Sequence, residues 1–61
     1  MEKVNHLNNW EQTGQRLGGI RRSKVFELWY SGALGSVLVG AKRFSTDRQI
    51  DEYIAKLESA A

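Results

Sequence analysis

The side chains able to do chemistry in this sequence are sparse and unevenly placed. His6 is the single histidine and there is no cysteine, so neither a Cys–His pair nor a set of zinc ligands can be assembled, and His6 reads as a solvated residue. Asp47 and Asp51 stand four apart, as a carboxylate pair would, but Arg48 and Glu52 beside them mark a charged helix surface. Gly35, Gly40 and Lys42 brush against the phosphate-loop pattern, without the adjacent Gly-Lys or the following hydroxyl residue that would hold magnesium. No nucleophile and base stand at a usable spacing, so catalysis, a cofactor and a small-molecule substrate are not expected.

The bases carry more information. Residues 16–43 hold Arg16, Arg21, Arg22, Lys24, Lys42 and Arg43 against one acid, Glu27, whereas the flanks hold three bases and six acids. A basic centre with acidic edges points to a polyanion, and nucleic acid is the expected partner although the net charge is only +2. Two clusters stand out. Arg21, Arg22, Ser23, Lys24, Glu27 and Tyr30 fall at one helical stretch, and Lys42 and Arg43 fall at a turn.

The elements that must position these groups follow from local signals. Trp10, Thr13, Gly14 and Leu17 recur at i, i+3, i+4 and i+7, which predicts a first helix with Asn9 as its cap, Gln12 closing a capping box, and Gly18-Gly19 as its end. A second helix is expected over residues 23–31, with Val25, Leu28 and Trp29 inward, Lys24, Glu27 and Tyr30 outward, and Gly32 as the left-handed stop. Ile20 plugs the intervening turn, and Gly14 leaves room for the second helix to cross the first. Gly40-Ala41 between strand-forming residues signals a type II′ hairpin, which sets Val37 opposite Phe44, Leu38 opposite Arg43 and Val39 opposite Lys42. Ile50, Tyr53, Ile54 and Leu57 predict a last amphipathic helix over the core, capped by Ser45 or Thr46 and helped by Asp47 at its positive end. Trp10, Trp29 and Tyr53, all on apolar stripes, read as core.

At 61 residues this is one domain at most, and one that buries only about 60% of its unfolded surface. The apolar stretch over residues 33–41 is far short of the ~20 residues a membrane span needs, and no signal-type run follows the first residues, so a soluble protein of the cytoplasm or a cytoplasm-like compartment is expected. The composition, 41% hydrophobic and 26% charged, excludes a disordered tail. The fold class is α+β, mostly α, with residues 1–8 an extension, 9–58 the domain and 59–61 a tail.

Leu17 and Gly18 leading to Leu28, then Ser31, Gly32, Ala33 and Leu34, then Val37, Leu38, Val39 and Gly40 followed by Lys42 and Arg43, resemble the excisionase-type, MerR-like DNA-binding domain. The likeness implies a winged helix-turn-helix: two helices, a short hairpin wing and a C-terminal helix. This chain departs from the family by a second Gly between the helices, by Arg21 at the cap position, and by Leu38 where a basic residue is common. A bare domain of this size is similar to the phage excisionases, also called recombination directionality factors, which bind and bend attachment-site DNA to steer an integrase toward excision. The resemblance thus implies duplex DNA, further copies of the chain and an integrase as partners. A small transcriptional regulator on the same fold and a protein-binding module without DNA are the alternatives.

Under that reading Arg21, Arg22 and Lys24 at the start of the second helix approach base edges, Glu27 accepts from cytosine N4, and Ser23 or Tyr30 holds phosphates. Lys42 and Arg43 contact phosphates or a narrow minor groove, unless they serve only to keep an edge strand from aggregating. Leu38, facing outward, and Met1, Val4 and Leu7, recurring every third residue, are candidates for contacts between neighbouring copies. Alternatively, the N-terminal segment adds a helical turn that caps Trp10 and the core.

Overall fold

The computed structural model describes residues 4–60. Its local structure starts from the caps. Asn9 Oδ1 accepts from the Gln12 backbone N–H at 2.8 Å, and the Asn9 N–H donates to Gln12 Oε1 at 3.0 Å, launching helix α1 (Trp10–Arg16) with two of its orphan donors satisfied. Gly18 and Gly19 follow with φ of 89° and 85°, a region open to glycine, and turn the chain back across α1. Helix α2 (Arg22–Ser31) begins one residue earlier than the sequence suggests. Arg21 is its cap and gives no side-chain hydrogen bond there. Gly32, at φ 82°, closes the helix.

The two helices meet at Gly14. A methyl group at this position would collide with the Ile20 carbonyl oxygen and touch Val25 Cγ2, so the bare backbone is what permits the crossing. Val25, Leu28, Trp29 and Leu34 form the buried cluster, with Leu17, Ile20, Phe26 and Tyr53 packed against it, and Ile50 from the last helix is fully buried.

Strands β2 (Val37–Val39) and β3 (Lys42–Thr46) make the hairpin in the register expected, Val37 with Phe44, Leu38 with Arg43 and Val39 with Lys42. A positive φ at Gly40, and at no non-glycine residue, agrees with the turn read from the sequence. Helix α3 (Asp47–Ser59) is capped by Thr46 rather than Ser45, again through a reciprocal box with Gln49. Ser45 is needed elsewhere: fully buried, it accepts from Trp29 Nε1 at 2.7 Å and donates to the Gly35 carbonyl at 2.7 Å.

Residues 4–8 of the N-terminal segment do not form an extra helical turn. Leu7 and Asn8 form a strand, β1 (Leu7–Asn8), antiparallel to β3 in a three-stranded sheet of order β1-β3-β2. The reason is polar. Asn8 Nδ2 donates to the Ser45 carbonyl and to Asp47 Oδ1, and the Asp47 N–H donates to the His6 carbonyl at 3.0 Å, so extended backbone is pinned to the free side of β3. Val4 and Leu7, 65% and 45% exposed, bury too little to drive a helix instead. β1 lies on the N-terminal side of the boundary expected after residue 8 and pairs with β3, and α3 runs to Ser59 with Ala60 as its C-cap. Met1, and Ala61 of the expected tail, lie outside the described residues.

Among the described residues the architecture is α+β, three helices and a three-stranded antiparallel sheet. No helix among them is long and apolar enough to cross a membrane.

Candidate nucleic-acid interface

Helix α2 turns about 100° per residue, so Arg22, Phe26 and Tyr30, spaced by four, lie along one side of it. That side faces the hairpin. Arg22, Phe26 and Tyr30 from α2 line a groove of about 490 Å³ with Leu38 and Phe44 from the strands and Lys42 and Arg43 beside the turn; Asn9 and Trp10 from the start of α1 complete it.

The two arginines here lie over aromatic rings rather than against acids. Arg22 lies 5.2 Å from the centroid of Phe26, and Arg43 lies 5.8 Å from that of Tyr30. Arg43 also donates from Nη1 to Ser36 Oγ at 2.7 Å, which fixes the guanidinium plane. The rings support one another: Phe26 meets Trp29 edge-on at 5.0 Å and Tyr30 at 5.8 Å. Among the described residues, no Asp or Glu lines the groove. Arg22, Lys42 and Arg43 have no carboxylate partner among the described residues, and the three charges add in a site that includes apolar walls.

The expected site residues thus divide. Arg22 and Tyr30 join Lys42 and Arg43 at the groove, with Arg21 exposed at the helix cap and Ser23 exposed on the next residue. Lys24 and Glu27 are drawn to each other, Nζ to Oε2 at 2.7 Å, and the hydrogen bond and charge of Glu27 raise the Lys24 pKa. Lys24 lines a different cleft of about 370 Å³, with Arg16, Leu17, Ile20, Leu28, Tyr53, Ile54 and Leu57. Leu57 is 53% exposed there, so the C-terminal end of the α3 stripe does not cover the core as expected. Leu38 is 60% exposed at the groove, while Val4 lies in a separate pocket against α3 and Leu7 is on β1. Leu38 on the hairpin and Val4 and Leu7 ahead of α1 thus remain two separate candidate surfaces for contacts between copies.

Two further expectations are corrected. Trp10 is 36% exposed and lines the groove, because the helices cross at Gly14 and Trp10, one turn earlier, projects past the crossing toward the hairpin. Asp47 and Asp51 are more than a solvated face. Asp47 accepts from the His6 N–H, from Asn8 Nδ2 and from Arg16, and Arg16 also reaches Asp51 at 3.0 Å. Arg16, counted by sequence among the basic centre, is spent on tying α1 to α3. His6 is solvated as expected, its side chain 71% exposed, and it contributes both its N–H and Nδ1 to Asp47, the latter 3.1 Å from Oδ2. Trp10 and Phe26 are among the lining residues that sequence reasoning missed, with Asn9, Ala41 and Phe44. The i, i+4 series Arg22, Phe26, Tyr30 was the available signal for Phe26; nothing local marked Trp10.

Comparison with protein-family models, with curated proteins and with solved structures gives no match to this chain. The groove is therefore interpreted from its own chemistry.

Proposed function

We propose that this chain binds duplex DNA in the manner of a winged helix-turn-helix, with α2 entering the major groove and the β2–β3 hairpin acting as the wing, and that it serves as an architectural factor directing integrase-mediated excision. The single observation that carries DNA binding is the convergence of Arg22, Lys42 and Arg43, from a helix and a hairpin, on one groove that no carboxylate among the described residues lines. Helix followed by tight turn, helix and hairpin is also the order in which such domains present a recognition helix and a wing. The excision role rests on the sequence resemblance described above.

The test is a fluorescence-anisotropy titration with labelled duplex at several salt concentrations. Neutralisation of about four phosphates by Arg21, Arg22, Lys42 and Arg43 gives a slope of log affinity on log salt near −3 to −4. A flat dependence overturns the reading and leaves a protein-binding module. Arg22→Ala and Arg43→Ala are each expected to weaken binding to all sequences alike and to reduce the salt slope by about 1. Lys24→Ala, on the far flank of α2 and paired with Glu27, costs less than Arg22→Ala. Excision by a cognate integrase, against transcription from a responsive promoter, separates recombination factor from regulator.

A further inference from the structure

The groove holds more apolar surface than phosphate contact requires. Phe26 and Phe44 are its half-buried part, and Trp10 and Leu38 stand exposed above them on α1 and β2. A nucleic-acid strand alternates anionic phosphates with sugars, and the one feature of the sugar that is apolar in DNA and polar in RNA is C2′. Cations and apolar side chains are interleaved in the same groove, and Asn9 Oδ1 is already committed to the Gln12 N–H.

We infer that the groove between α2 and the hairpin seats one sugar–phosphate strand of the duplex, with phosphates on Arg22 and Arg43 and the C2′ edge of a deoxyribose against Trp10 and Leu38, so that the protein selects DNA over RNA at that nucleotide. This rests on the DNA-binding reading above and adds which part of DNA the groove contacts. Charge complementarity names the occupant: Arg22, Lys42 and Arg43 face a groove that no acid among the described residues lines. Arg43, held by Ser36 Oγ and the Tyr30 ring, is oriented before any ligand arrives, which lowers the ordering cost of a phosphate contact. A 2′-hydroxyl placed against the carbon face of an indole and a leucine loses water without gaining a partner, and polar groups left unpaired in this way discriminate strongly between analogues.

The experiment uses a duplex enriched by selection from a random-sequence pool, into which single ribonucleotides are introduced one position at a time along each strand. Substitution at one or two adjacent positions of a strand is expected to weaken binding about ten-fold, with the remainder near unity. In Leu38→Ala and in Trp10→Ala that penalty shrinks toward unity while DNA affinity falls, whereas Arg43→Gln weakens DNA and ribonucleotide-containing duplexes by the same factor. Leu38 lies exposed on an edge strand, so its variant keeps the test alive if Trp10→Ala does not fold. Intrinsic fluorescence gives a second readout. Trp29 is buried and hydrogen-bonded to Ser45, so quenching on DNA addition is expected from Trp10 and is absent in Trp10→Phe. Anisotropy showing tight binding together with unchanged tryptophan emission, or a ribonucleotide scan without any sensitive position, overturns the inference while leaving DNA binding intact. No anisotropy change with any duplex overturns the DNA-binding reading itself, and the inference with it.

Discussion

Asp47 concentrates more of the fold than any other charged side chain described. Its carboxylate accepts from the His6 N–H, Asn8 Nδ2 and Arg16 Nη1, joining β1 and α1 to the start of α3. The hydrogen bonds from Asn8 and His6, with the charge of Arg16, hold its pKa down to about 2 from the ordinary 3.8. A depressed acid stabilises the folded state fully above its unfolded value, and that contribution is lost as pH falls through the folded one. Hydrogen exchange at the His6 and Asp47 amides, followed by NMR between pH 5 and about 2, is therefore expected to show protection falling below pH ~3.8, with the step absent in Asp47→Asn. Ser45 gives a second residue-scale prediction. It is fully buried and is the acceptor for Trp29 Nε1. Ser45→Ala leaves that indole N–H without its partner in the core and is expected to cost about 1–3 kcal/mol in a denaturant unfolding curve.

At the scale of elements the decisive contact is between α1 and α2. Alanine in place of glycine inside a helix ordinarily stabilises by roughly 0.5–1 kcal/mol. Gly14→Ala reverses that sign, because its methyl meets the Ile20 backbone carbonyl, which cannot rotate away as a side chain would. A loss of about 1–3 kcal/mol is expected, read as a lowered midpoint of thermal unfolding. The same crossing sets the binding face. It carries Trp10 past α2 to the groove and leaves Arg22, Phe26 and Tyr30 opposite the hairpin, while Lys24 and Leu28 face the cleft beside α3. Spacing alone placed Lys24 and Glu27 with Tyr30 on one outward face; the crossing divides that face between two clefts.

Over the whole molecule the charge pattern is sharper than the linear count. Arg16, one of the six bases of the central segment, is consumed by Asp47 and Asp51, and Lys24 by Glu27. The bases left for a polyanion are Arg21, Arg22, Lys42 and Arg43. Arg16→Gln is accordingly expected to leave the salt slope of DNA binding unchanged while lowering thermal stability, whereas Arg22→Gln reduces the slope by about 1. Equal changes in slope for the two variants would show that the surface charge acts as an undivided field. What the amino-acid order determines by itself is everything set within a few residues: both capping boxes involve partners three apart, Gly32 ends α2 through its own backbone freedom, and a two-residue turn dictates the pairing of β2 with β3. What only the tertiary structure decides is β1, the Asp47 hub and the groove with Trp10. The hub's bonds to β1 and α1 span 31 to 41 residues. Such pairings leave no period in the sequence, since they depend on where a glycine lets two helices cross and on which strand still has backbone groups to satisfy.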